Sequence, residues 1–201
     1  MQEKILFYLG VNHGRAFFNM TTQFSKSYGF EPMPNVYSDL ISRNKNPNVK
    51  IVNACVTDKD GDADFYINNN DVTSSIFALR DDYNTSHMIQ KINVKTINLL
   101  NFIKNENIDH IDMYLSDTQG MDFTILKTLE SLLKEKRIYR LQCETYNDII
   151  PGAYKNPNAN TVTDYKNFLI PLGYEIENPQ VLSNACDEYD LVWRIKWIQQ
   201  P

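Results

Sequence analysis

The sequence predicts an α/β fold on a mostly parallel sheet, and three observations carry that prediction. Short apolar runs alternate with helical patterns along the first half of the chain. Two of those runs, Ile5 to Leu9 and Ile108 to Leu115, end in polar turns that open directly into helical segments. Three acids, Glu31, Asp117 and Glu144, each stand at the carboxyl end of a predicted strand. Alternation of this kind gives parallel strands with right-handed crossovers, and open sheets of this type take ligands at the strands' carboxyl ends.

The elements follow in order. Ile5 to Leu9 is a continuous apolar run, as expected of a central strand covered on both faces. Gly10-Val11-Asn12-His13-Gly14 then makes a tight turn where backbone can approach a ligand. Arg15 to Lys26 reads as a helix whose Gly14 end offers backbone N–H groups to a carboxylate or other anion. Tyr28 to Phe30 is a short strand stopped at Glu31-Pro32, Asn35 to Asn44 a helix, and Val49 to Val56 a third strand. Asp60-Gly61 signals a hairpin before a strand at Ala63 to Ile67. The polar stretch from Asn68 to Ser86 has no period and reads as a binding loop.

Lys91 to Thr96 is then a strand and Ile97 to Lys104 a helix. Ile108 to Leu115 is the second central strand, and its turn, Ser116 to Gly120, should lie beside Gly10 to Gly14. Phe123 to Lys136 is a long amphipathic helix and Ile138 to Cys143 a strand ending at Glu144. Thr163 or Asp164 caps a helix through Leu172 that Gly173 stops, with strands at Tyr174 to Ile176 and Leu191 to Trp197.

With 201 residues the chain is expected to form one domain over 1–201, carrying a loop or hairpin insertion at about 58–96. Net charge is −5 without any Lys/Arg block, which argues against a nucleic-acid surface and for a small-molecule or glycan acceptor. No run approaches the roughly 18 apolar residues of a membrane span, and the N-terminus shows no export signal, so a cytoplasmic protein is expected. Cys55, Cys143 and Cys186 lack metal or disulfide spacing and read as buried thiols.

A carboxylate after the second strand is placed to accept hydrogen bonds from both hydroxyls of a ribose. Around it, LGVNHG, GFEPMP, NVKIVNACVTDKDGDADFYI, VTSSIF, INVKTINLLNFI, IDHIDMYLSDTQGMDFTILKTL and RLQCET resemble, in order, the blocks of the FkbM family of S-adenosylmethionine-dependent methyltransferases. The resemblance covers Ile5 to Glu144. It implies a Rossmann-like class I methyltransferase sheet of seven strands with an antiparallel last strand, and O-methylation of a sugar, glycan or hydroxylated small molecule. It also implies that Gly10, Asn12 and Gly14 hold the methionine part of the cofactor and that Glu31, with Pro32 beside it, holds the ribose. Asp117, Gln119 and Gly120 match a later motif, with Asp122 in place of its second acid. Tyr8 stands where the family usually has aspartate, and Gln119 where glutamate is common.

Methyl transfer to a hydroxyl needs in-line placement and a group that takes the proton, and Asp117 is the expected one. His13 and His87 are the other bases near the site by position. An alternative gathers Asp117, Glu144 and Asn147 as ligands for Mg²⁺. Two other functional classes share the architecture: a non-catalytic binding or scaffold protein on a decayed methyltransferase fold, and an NAD-dependent oxidoreductase, whose G-x-G-x-x-G spacing is missing at Gly10 to Gly14.

Overall fold

The structure is a computed structural model that describes residues 3–149, 152–156, 160–183 and 188–196. Strand β1 (Ile5–Leu9) pairs in parallel with β2 (Lys26–Phe30) on one side and β7 (Ile111–Ser116) on the other. Its run is apolar because both faces are covered: Leu6 packs into one core cluster, Phe7 and Leu9 into the other.

Between those strands come α1 (Arg15–Thr21), α2 (Pro34–Arg43), β3 (Val49–Val52), β4 (Cys55–Thr57), β5 (Gly61–Asn68), β6 (Met88–Asn98) and α3 (Leu99–Asn105). After β7 follow α4 (Asp122–Thr128), α5 (Glu130–Lys134), β8 (Ile138–Tyr146), α6 (Val162–Leu169), β9 (Tyr174–Ile176) and β10 (Glu188–Ile195). The main sheet runs β3-β2-β1-β7-β8-β10-β9, with β10 antiparallel to both neighbours. A second sheet, β4-β6-β5, is formed by a β5–β6 hairpin with β4 parallel to β6.

Several boundaries differ from the sequence expectation, and four of them have a visible reason. Val49 to Val56 is two strands in two sheets: the Asn53 side chain donates to the carbonyls of Glu31 and Pro32 at 2.8 and 3.1 Å and turns the chain away between them. The first helix stops at Thr21, because Ser25 and Lys26 donate their amides to the Lys4 carbonyl and start β2. The helix expected over Phe123 to Lys136 breaks at Leu129, where ψ is 10°. Strand β8 continues beyond Cys143 because β10 pairs with it as far as Tyr146, so Glu144 lies inside the strand and not at its end.

Helix α6 is capped by Thr161, which exchanges bonds with Asp164 as a capping box. Cys55 and Cys143 are buried, while Cys186 and Trp197 lie outside the described residues. Among the described residues no helix is long and apolar enough to cross a membrane.

Candidate active site

The two strand-to-helix turns lie side by side, as the sequence predicts. The Asp117 amide donates to the Leu9 carbonyl at 3.1 Å, and a Cβ on Gly10 would stand 1.9 Å from the Asp117 carbonyl oxygen. Gly10 also has φ +77°, so both position and conformation demand glycine. Gly14 has a different task. It packs under α2, where a Cβ would meet Leu40 at 2.4 Å, and it does not line the cleft.

At the carboxyl end of the sheet a cleft with about 110 Å³ of accessible volume opens between these turns and the second sheet. Gly10, Asn12, Asp117, Thr118 and Gln119 form one end, Glu31 and Pro32 the middle, and Phe30, Ala54, Val56 and Phe65 an apolar wall. A concave lining of apolar side chains with a few convergent polar groups suits a small organic ligand. The wall from Ala54 to Val56 carries no sequence signal, because the break at Asn53 is hidden in an apolar run. Asp71 and Val72, at the cleft's edge, come from the unpatterned loop, and His13 Nε2 reaches Asp71 at 2.7 Å.

Glu31 is only 2% exposed. One carboxylate oxygen accepts from the Asn12 amide at 2.8 Å and the other from the Met33 amide at 2.9 Å. The Asn12 amide in the glycine turn is thus occupied by the chain's own carboxylate. Burial outweighs these two bonds and pushes the Glu31 carboxyl up to about 7.

The β7 turn is organised by Asp122, which is fully buried. It accepts from the Ser116 hydroxyl, from the Thr118 amide at 2.9 Å and from the Gly120 amide at 3.4 Å. This leaves Asp117 exposed at the cleft, where desolvation by the surrounding wall first and the Asp122 charge second push its carboxyl up to about 7. Gln119, at φ +56°, donates its amide to Asp117 and, at 3.2 Å, to Glu144, while Tyr154 donates its hydroxyl to the Gln119 side-chain oxygen. Ser75 donates to the Gln119 carbonyl at 2.7 Å. Burial, then the Asp117 charge, pushes Glu144 well above the usual carboxylate range.

Other expected participants fall elsewhere. Asn147 accepts from the Ile149 amide at 2.8 Å and donates to the Tyr189 hydroxyl at 3.3 Å, so it does not join Asp117 and Glu144. Among the described residues no group of three or more His, Cys, Asp or Glu could hold a metal ion, and the Mg²⁺ alternative finds no support. His87 is exposed, and its carbonyl accepts from the Asn69 amide at 2.9 Å. Tyr8 leaves the cleft and sets its ring edge-on to Phe17, with centroids 5.8 Å apart.

A parallel sheet with one antiparallel strand near its edge and a ligand cleft over the β1 and β7 turns defines a Rossmann-like class I methyltransferase fold. The methyltransferase FkbM domain matches residues 9–165, and the chain belongs to that family. Among solved structures it is similar to methyltransferase FkbM from Methylobacillus flagellatus KT, at 12% identity and TM-score 0.57, over 96% of this chain and 43% of that one. It is also similar to an rRNA methylase from Streptococcus thermophilus, at 11% identity and TM-score 0.50, over 97% of this chain and 88% of that one. At such identities the likeness is one of fold. The chain spans less than half the length of the Methylobacillus protein. No curated protein matches the sequence.

Proposed function

We propose that this chain is an S-adenosylmethionine-dependent methyltransferase acting on a hydroxyl of a sugar, glycan or small molecule. The observation that carries the reading is Glu31: a buried carboxylate fixed by backbone at the middle of the cleft, between an apolar wall and the Gly10 turn. Each of its oxygens keeps a lone pair beyond the one used by backbone, which suits two ribose hydroxyls. The apolar wall of Phe30, Ala54, Val56 and Phe65 suits a flat purine, and the residues present therefore fit the cofactor. Gly10, Asn12 and Gln119 would border its amino-acid end.

S-adenosylmethionine supplies, when bound, a methyl group on a positively charged sulfur. Asp117 would orient the acceptor hydroxyl and take its proton, and the amide of Gln119 holds its carboxylate in place. The decisive test is calorimetric titration with S-adenosylmethionine and, separately, NAD. Binding of the first alone supports the reading, binding of NAD alone supports the oxidoreductase, and binding of neither supports a scaffold.

A further inference from the structure

Beyond the cleft, the sheet carries acids that the proposed transfer does not use. In the antiparallel pairing of β8 with β10, Glu144 stands opposite Asp190 and Tyr146 opposite Glu188. Directly opposed residues share a face, so all four project from one side of the sheet. Opposed like charges destabilise a strand pair unless something offsets them. Within the protein no cation does: the proton held by the raised Glu144 carboxyl relieves the repulsion, and a bound cation would take its place. Among the described residues no Lys, Arg or His forms an ion pair with Asp117, Glu144 or Asp190, and the charges acting on Asp117 and Glu144 are all carboxylates. The nearest basic residues of these strands are engaged elsewhere: Arg140 with Glu177 at 2.6 Å and Arg194 with Glu175 at 2.9 Å.

An independent observation points to a ligand at this face. Tyr146 is 6% exposed, its hydroxyl has no hydrogen-bond partner, and the foremost charge acting on it is Glu144. One oxygen of Glu144 is likewise buried without a partner, while its other meets Gln119. A buried acceptor and a buried hydroxyl left unpaired together are costly, and a donor-rich ligand would satisfy them.

We propose that Glu144 and Asp190 form an ammonium-binding subsite, so that the methyl acceptor is an amino-bearing polyol of the amino-sugar class. The inference rests on the methyltransferase reading above. An ammonium has three donors for two carboxylates, and phenol rings such as Tyr146 favour a cation nearby. A metal ion fits less well, because no set of three ligating side chains converges here. The subsite lies on β8 and β10, across β7 from the Gly10 turn, and Glu144 and Asp190 do not line the cleft. It thus belongs to the acceptor and not to the cofactor.

The same charges decide which acceptor atom reacts. Carboxylates around an ammonium keep it protonated and without a free electron pair. The amine is the anchor and a neighbouring hydroxyl the nucleophile. The hydroxyl oxygen forms the new O–CH₃ bond as the S–CH₃ bond breaks, the bonding pair stays on sulfur as S-adenosylhomocysteine forms, and the hydroxyl proton passes to Asp117.

The experiment is calorimetry on the protein saturated with S-adenosylhomocysteine, titrated with glucosamine, glucose and N-acetylglucosamine. Glucosamine is expected to bind at least about tenfold more tightly than the two neutral sugars, with the preference shrinking in 0.5 M NaCl. Glu144→Gln and Asp190→Asn, checked for an unchanged melting transition, should each erode that preference without touching S-adenosylhomocysteine affinity. Equal binding of the three sugars, no binding of any, or a preference that survives both substitutions overturns the inference. So does an N-methylated product by mass spectrometry after incubation with S-adenosylmethionine, or MgCl₂ displacing glucosamine at equimolar concentration. Failure of S-adenosylhomocysteine itself to bind in the first titration would instead sink the methyltransferase reading, and this inference with it.

Discussion

At the β2 end of the cleft one carboxylate is held by backbone, and at the β7 end the carboxylates are held by side chains. Glu31 receives one amide N–H from Met33, two residues on, and one from Asn12 in the neighbouring β1 turn, so its geometry is set by the backbone of two adjacent turns. Asp117 and Glu144 are joined by the amide of Gln119, which is itself fixed by Tyr154 and, through its backbone, by Ser75. A backbone-held acid is suited to bind a constant part of a ligand. A side-chain-held pair can be retuned by one substitution, which suits the part that meets a variable acceptor and moves a proton.

If that division is right, the largest effect comes from the β7 end. Asp117→Asn keeps an oxygen that accepts from Gln119, and asparagine serves in a turn as well as aspartate, so fold and cofactor affinity should change little. Turnover should fall by roughly 10² to 10⁴, the share of a general base. In the parent protein, because desolvation at the cleft wall and the Asp122 charge raise Asp117 to about 7 and a base must be deprotonated, turnover should rise with pH through about 7. A pH–rate profile flat from 6 to 8, or an active Asp117→Asn variant, removes the catalytic role.

At the β2 end the expected loss is of binding and not of turnover at saturation. Glu31→Ala should weaken S-adenosylmethionine binding by about 1.5 to 3 kcal/mol, the range of hydrogen bonds to a charged group. Glu31 also gives stability a pH dependence. Its carboxyl, raised by burial to about 7 from a usual value near 4.5, binds its proton more tightly in the folded state. That contribution is fully present below the unfolded value and is lost as pH rises through about 7. From pH 4.5 to 8 the loss amounts to about 3 kcal/mol. Denaturant titrations of the cofactor-free protein at pH 5 and 8 should show this fall, and Glu31→Ala should flatten it. Identical slopes in parent and variant would mean that Glu31 is solvated.

The contrast between the two ends is also the contrast between what the sequence makes legible and what it conceals. Strand β1, the turn at Gly10 and the parallel order are readable because apolar runs, glycines and proline act locally. The adjacency of the two turns followed from topology alone. The division of Val49 to Val56 between two sheets was not readable, because Asn53 acts by reaching back to Glu31 and Pro32 in another segment. The link from Gln119 to Tyr154 spans 35 residues and carries no periodic signal. Asp122 was visible as an acid, yet only its complete burial reveals that it holds the turn open for Asp117.

The smallest effect tests that long-range link directly. Tyr154→Phe removes the hydroxyl shared between the Gln119 side-chain oxygen and the Thr73 carbonyl, which lies 3.0 Å away, and leaves the ring, which packs with Tyr146 and Ala153, in place. Losing one hydrogen bond costs about 1 kcal/mol of stability. That is a modest shift in a denaturant midpoint. The more telling consequence lies in the site. A Gln119 side chain freed at its oxygen can turn, and its single amide nitrogen no longer has to meet Asp117 and Glu144 together. The Gln119 bond lowers the proton affinity of Asp117, so its loss should move the rising limb of the pH–rate profile upward. Cofactor affinity should stay unchanged, because Glu31 is held independently. A variant that loses stability with an unmoved pH profile would make Tyr154 a packing residue only, and equal losses at both ends of the cleft would show that the two ends are not separately held.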